Sequence, residues 1–275
     1  MKLSPWNPLT PFVLLWQHRN LLNQFTRRTI EQRHRGSFLG FIWAVLTPLL
    51  QLGLYTFIFG HVFGGSFNQL PNETKMDYAL GVFLGLVFFQ FLADVLAVSP
   101  LTIVTQPNFV KKVVFPLEIL PTAAVGAAAF NAAISLGLAF LGILFLGRGL
   151  DSHALMLLTL LPPVALIGLG CAWFLSAFGV FVRDAANFMP FLLQVLMYAS
   201  AVFFPLSRIR DIPLAWSILK WNPLLWAVEN TRHAVLWHQA ITTQSLIFLW
   251  ATGITISFSG YVFFHKTRPA FADVI

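Results

Sequence analysis

Cysteine occurs once in the 275 residues, at Cys171, so no disulfide can form within the chain and no Cys-paired metal motif can be built. Charge is almost as scarce. Lys, Arg, Asp and Glu make up 10% of the sequence, with ten acidic residues against 17 basic ones, too little polar surface to cover a soluble domain of this length. A Gly-x-x-x-x-Gly-Lys-Ser/Thr phosphate loop is absent, so ATP-driven work would need nucleotide on another chain. The carboxylates outside the apolar runs include Glu73, Asp77, Asp151, Asp211 and Glu229, none of them paired in a recognisable motif. A membrane-embedded glycosyl or lipid transferase would need positioned carboxylates for acid–base or metal work. The closest two of the seven histidines, His233 and His238, are five apart and do not share a helical face, so no metal site is expected.

What is abundant is apolar: 57% of the residues are hydrophobic, with 29 Phe and nine Trp. Segments 38–60, 78–99, 119–146, 154–182, 188–204 and 245–264 read as membrane spans, since about 20 apolar residues at 1.5 Å rise cross a hydrocarbon core of about 30 Å. The fifth is short. The expected fold is therefore all-α and integral to the membrane, a single domain over 1–275 with six spans. Eleven of the 17 Lys and Arg, among them Arg19, Arg27, Arg28, Arg33, Arg35, Lys111, Lys112 and Arg183, fall on the side of the N-terminus and six on the other. That bias predicts cytoplasmic termini. The net charge of +7 then reflects topology and headgroup contact rather than nucleic-acid binding.

Upstream of the first span, residues 10–32 form a basic amphipathic stretch. Leu14, Leu21, Leu22 and Phe25 share one helical face and Asn20, Asn23, Gln24, Arg27 and Arg28 the other, which predicts a helix floating in the lipid of the inner leaflet or, more simply, a topology anchor. Residues 205–240 mix Trp216, Trp221, Trp226 and Trp237 with Arg208, Arg210 and Arg232, which predicts one or two short helices dipping into the outer leaflet. Ala123, Ala124, Gly126, Ala127 and Ala128, and Gly81 four before Gly85, mark faces where helices approach closely. Ionisable residues near the spans are few. Asp94 and Glu118 lie at span ends, where solvated or ion-paired structural roles suffice.

Four passages, taken together, resemble the membrane subunit of ABC-2 type exporters, in the branch that exports O-antigen, capsule and teichoic acid polymers. They are Arg33-His-Arg-Gly-Ser-Phe-Leu-Gly-Phe-Ile-Trp-Ala44, Asn108 to Pro121 (NFVKKVVFPLEILP), Arg183-Asp184, and Phe204-Pro-Leu through Trp221-Asn-Pro-Leu to Arg232. Their order and spacing match that family over nearly the whole chain. The resemblance implies a homodimer in a bacterial cytoplasmic (inner) membrane, joined to two copies of a separate ATPase that holds ATP and Mg, with a lipid-linked polysaccharide passing along the dimer axis. It assigns Asn108, Lys111, Lys112, Glu118, Arg183 and Asp184 to ATPase coupling, and Arg33, Arg35 and Gly36 to the gate region. Channel lining by the first and fifth spans makes Trp43, Tyr55, Phe59, Tyr198, Phe203 and Phe204 the polymer contacts, where sugar C–H faces would slide over aromatic rings. Positive-inside anchoring is the alternative for Lys111 and Lys112, and lipid-facing packing for each aromatic. Export of a drug or lipid is the rival within the family.

Overall fold

The computed structural model describes residues 7, 9–34, 38–62, 64–111 and 115–275, and among these every regular element is helical. Arg35, Gly36 and Lys112 lie outside the described residues. At the N-terminus, α1 (Thr10–Gln17) and α2 (Arg19–His34) take the place of the single helix expected over 10–32. Then come α3 (Trp43–Tyr55), extended by a wider π-helical stretch at Thr56–Val62, and α4 (Lys75–Val98). The short α5 (Pro107–Lys111) precedes α6 (Ile119–Leu146), α7 (Leu157–Phe181) and α8 (Ala185–Ala199). Three short helices follow, α9 (Leu206–Arg210), α10 (Pro213–Leu219) and α11 (Pro223–Val235), before α12 (Thr243–Thr267) and α13 (Phe271–Val274).

Five of these stretches are long and apolar enough to cross a membrane: Trp43–Val62, Lys75–Leu101, Ile119–Leu146, Ser152–Phe181 and Thr243–Val274. The expected fifth span, α8, has only 15 residues, about 22 Å of helix against a core of about 30 Å. Its C-terminal end turns back at Ala201, whose φ of 52° lies in the left-handed region that residues with a Cβ seldom adopt.

Helix α4 is the axis of the bundle. Eighteen of its 24 residues are buried, the pattern of a helix apolar all round and enclosed by others. It starts on a capping box: Thr74 accepts from the Asp77 backbone N–H, and the Asp77 carboxylate accepts from the Thr74 N–H at 3.0 Å. Arg148, just past α6, reaches back to the same carboxylate at 3.3 Å and to the Pro71 and Asn72 carbonyls at 3.0 Å, which closes that end of the α4–α6 pair.

The small residues do what packing in lipid requires, bringing backbones together where no hydrophobic effect distinguishes helix from solvent. A Cβ at Gly81 would meet the Phe67 ring at 2.7 Å, and one at Gly85 would meet Arg232 Nη2 at 2.9 Å. Gly126 of α6 receives Thr26 of α2, within 2.9 Å of where a Cβ would stand. The most extensive pairing, between α7 and α12, rests on Gly170, Gly253 and Gly260, each set against backbone of the facing helix.

Two of the expected helical regions pack more closely than their sequence pattern shows. Leu21, Leu22 and Phe25 of α2 are partly buried against a core formed by Ile103, Phe115, Leu120 and Trp173 among others, so that face of the amphipathic helix meets protein. Ten of the thirteen residues of α11 are buried, with the helix packed against α4, α7 and α12. The region where one or two short helices were expected thus holds three, one of them part of the bundle.

Candidate functional site

The chemistry-bearing residues gather at the two ends of the bundle. At the end where α4 begins, Phe59 stacks on Phe203 at 4.4 Å with the rings 14° apart, and Tyr55 lies 5.0 Å and Tyr198 6.2 Å from the same Phe203 ring. Residues from the end of α3 and the end of α8, some 140 positions apart in sequence, thereby form one aromatic cluster. Tyr198 is half exposed and Phe203 is buried, so the tyrosine offers a free face and the phenylalanine backs the array. Phe204 packs inward between two cores. Trp43 belongs elsewhere: it lies at the other end of α3, on the wall of a polar cavity.

The cluster stands on a corner, Ser200–Phe204, that is held almost entirely by side-chain donors. Arg232 of α11 is fully buried and donates to the carbonyls of Gly81 at 2.9 Å, Ala201 at 2.8 Å and Val202. Its guanidinium carbon also sits 4.2 Å from the centre of the Phe67 ring, and Glu229 lies 3.5 Å away as counter-charge. Asn222 adds donors to the Ala199 carbonyl and the Ser200 hydroxyl at 3.0 Å while its own oxygen caps α11 through the Leu224 N–H. Tyr78 of α4 donates to the Phe203 carbonyl at 2.8 Å. The passage Trp221-Asn-Pro-Leu to Arg232 is thus a fastening for the end of α8, and with Tyr78 it supplies side-chain donors to the Ala199, Ala201, Val202 and Phe203 carbonyls.

At the opposite end, Phe25 of α2, Phe109 of α5 and Phe115 meet as three rings with centres 4.8 to 5.5 Å apart. They lock the amphipathic helix to the loop between the second and third spans. Asn108 and Lys111 stay exposed on α5, as do Arg183 and Asp184 in the turn between α7 and α8. Helix α13 packs against both α5 and α7, so these four polar residues belong to one end of the molecule.

Glu118 is different. Only 1% exposed, it accepts from Arg268 Nη1 at 2.9 Å, and Trp173 donates to its backbone carbonyl at 3.3 Å. It joins the start of α6 to the end of α12 and presents no surface to a partner. Arg268→Met is expected to cost about 2 kcal/mol, because it leaves a carboxylate buried without its cation while the arginine itself is partly exposed and screened. In thermal unfolding of the purified protein, adding Glu118→Gln to that variant should restore part of the loss; an additive or greater loss would show that the two groups are not paired.

Arg33, in the last turn of α2, has a bidentate grip on Asp94 of α4, at 2.6 and 2.8 Å. This hydrogen-bonded pairing raises the arginine pKa above its ordinary value against the opposing effect of burial, so its charge is fixed. No spacing in the sequence announces this contact across 61 residues. Among the described residues, no three His, Cys, Asp or Glu side chains converge as a metal site.

A family model described as "ABC-2 type transporter" matches residues 20–236. The chain belongs to that family. Its helices make it a multi-pass membrane protein. Among curated proteins it is 28% identical over 265 residues to an O-antigen export system permease protein, RfbA, of Myxococcus xanthus, covering 95% of this chain and 97% of the other. A Klebsiella pneumoniae protein of the same name is 23% identical over 260 residues, 93% and 95% of the two chains. The polysialic acid transport protein KpsM of Escherichia coli is 27% identical over 213 residues, 76% and 78% of the two chains. For this ABC-2 family member, the similarity to the two O-antigen export permeases runs over more than nine-tenths of each chain.

Proposed function

We propose that this ABC-2 family chain is the membrane-spanning permease subunit of an exporter that moves a lipid-linked polysaccharide of the O-antigen, capsule or teichoic acid type outward across a bacterial cytoplasmic membrane. The observation that carries the reading is the aromatic cluster of Tyr55, Phe59, Tyr198 and Phe203, which joins α3 to α8. Pyranose rings have apolar C–H faces, and an array of aromatic faces lets them pass without the hydrogen bonds that would hold them. End-to-end similarity to O-antigen export permeases supports the same substrate class.

In this reading two copies of the chain pair so that their α3 and α8 helices enclose the conduit, and α8, although short, completes six crossings with both termini cytoplasmic. Two copies of a separate ATPase hold ATP and Mg. They engage the inner end, where Asn108, Lys111, Arg183 and Asp184 are exposed. Arg35, Gly36 and Lys112 keep the gate and coupling roles that the resemblance gives them, and Glu118 acts through Arg268 by positioning α6.

Depletion of the protein in its host is expected to remove polysaccharide from the cell surface while the intracellular lipid-linked pool accumulates. Loss in both places would point to synthesis instead, and unchanged polymer would promote a drug or lipid exporter. Lys111→Glu is expected to weaken assembly with the ATPase by about tenfold, as charge reversal at an interface does. Folding stability should stay within about 0.5 kcal/mol because the side chain is exposed. Co-purification of the two subunits reads the first effect and thermal unfolding the second; undiminished co-purification would remove Lys111 from the contact.

A further inference from the structure

We propose that the cavity enclosed by the end of α2 and by α3, α4 and α6 binds one sugar residue of the cargo, a site separate from the aromatic conduit and resting on the export reading above. The cavity has a volume of about 220 Å³, and at about 30 Å³ per water that is space for roughly seven waters, the scale of a single pyranose ring. Its polar lining is periodic. Trp43, Thr47 and Gln51 recur every four residues on one face of α3, Gln90 and Asp94 do so on α4, and Asn131 and Ser135 on α6. Three helices therefore turn their amides and hydroxyls toward one another about two turns inside the bundle.

Hydrogen bonding within and between helices is the ordinary use of such residues in a membrane, and it accounts for part of the set. Gln90 Nε2, one turn earlier on α4, and Asn131 Nδ2, across on α6, donate to the Asp94 carboxylate at 3.0 and 3.2 Å, which with the Arg33 fork gives Asp94 four donors. Thr47, Gln51 and Ser135 are not used in that way. Each lines the cavity, and none makes a side-chain hydrogen bond to a described residue. Polar groups held at membrane depth without partners are costly, and the cost is repaid when a ligand supplies donors and acceptors.

The character of the ligand follows from charge and shape. Among the described residues Arg33 is the only cation on the wall, and both arms of its fork are engaged by Asp94, so the described lining pairs its one cation with its one carboxylate and otherwise offers neutral amides and hydroxyls, which favours hydroxyls over a phosphate. Trp43, 39% exposed, gives an indole surface of the kind that stacks on a sugar ring. A neighbouring cavity of about 190 Å³ between α4, α6 and α7 shows the contrast: Val87, Phe91, Ala132, Leu136 and Val164 line it with hydrocarbon, which suits an acyl chain and not a sugar.

The test uses the permease–ATPase complex in lipid nanodiscs, with Gln51→Cys introduced beside Cys171→Ser. Modification by a small water-soluble thiol reagent is timed alone, with polyprenyl pyrophosphate, and with the same lipid carrying one hexose or one N-acetylhexosamine. At least one glycosylated lipid is expected to slow modification by about tenfold and the bare lipid to leave it unchanged. Equal protection by the bare lipid would make this a lipid site, and no protection by any probe would also overturn the proposal; Ser135→Cys repeats the measurement should Gln51→Cys not assemble. In parallel, Thr47→Val with Ser135→Ala should raise about tenfold the concentration of glycosylated lipid that half-stimulates ATP hydrolysis, with the maximal rate kept. If the unsubstituted complex is not stimulated by glycosylated lipid, the export reading itself fails; if stimulation is intact but the cysteine is never protected, only the sugar pocket fails.

Discussion

Arg232→Leu is expected to destabilise the protein by about 3–5 kcal/mol and to abolish export. The argument is one of unpaired groups in a place water does not reach. Arg232 is fully buried and supplies the donors for the Gly81, Ala201 and Val202 carbonyls, and its removal also leaves Glu229, 5% exposed, without a cation. Breaking a buried pair by deleting one member leaves the other charge uncompensated, and each stranded carbonyl adds its own desolvation cost. Ala201 makes matters worse, since its left-handed backbone is held in part by the bond to its carbonyl. Arg232→Lys keeps the charge but not the planar fork, so it should recover only part of the stability. Thermal unfolding of the purified protein reads the magnitude, and limited proteolysis between residues 200 and 206 reads the location. A leucine variant that melts within about 1 °C of the parent, well inside the shift that about 1 kcal/mol would give a chain of this size, would disprove the fastening.

Gly170→Ala and Gly260→Ala should each cost about 3 kcal/mol, a large effect for one methyl group. A Cβ at Gly170 would overlap the Ile256 carbonyl oxygen, and a Cβ at Gly260 would overlap the Gly170 carbonyl oxygen. Backbone cannot rotate out of the way as a side chain can, so α7 and α12 would have to separate along their most extensive contact. Both substitutions strain the same contact, so the double variant should lose less than the sum. Gly137 supplies the control: nothing stands within 4 Å of its added Cβ, and Gly137→Ala should be neutral or stabilise by up to about 1 kcal/mol through helix propensity. Unfolding in detergent separates the cases; equal tolerance of alanine at all three positions would refute the backbone contact.

What could be read from the sequence followed how strongly each signal was local. Helix α6 spans Ile119–Leu146, the range expected, because a long apolar run between Pro116 and Gly147 has unambiguous ends. The second span begins at Lys75 rather than Tyr78, since the Thr74–Asp77 capping box extends the helix past the edge of the apolar run. The first span starts later than residue 38: Gly40 adopts a φ of 48° and a 3-10 turn covers Gly40–Ile42 before the α-helix sets in at Trp43. The residues of the aromatic cluster were legible as residue types on two apolar segments, but the separation of Trp43 from them depends on which end of α3 each residue occupies. Nothing in the local pattern marked Arg232 as buried, because burying a guanidinium is profitable only where distant carbonyls converge on it. The same holds for Glu118, where the partner is 150 residues away.

The three rings of Phe25, Phe109 and Phe115 bear on how this end of the molecule is held together. They place α2 and α5 in direct contact although more than 70 residues separate the helices in the chain. The short helix α5 is therefore braced sideways on α2 by touching rings, without recourse to the spans between them. Because Arg33, in the last turn of α2, grips Asp94 on α4, the same line of contacts continues to the axis of the bundle. Helix α2 is in effect a strut: one of its joints is aromatic, and the other is a single ion pair.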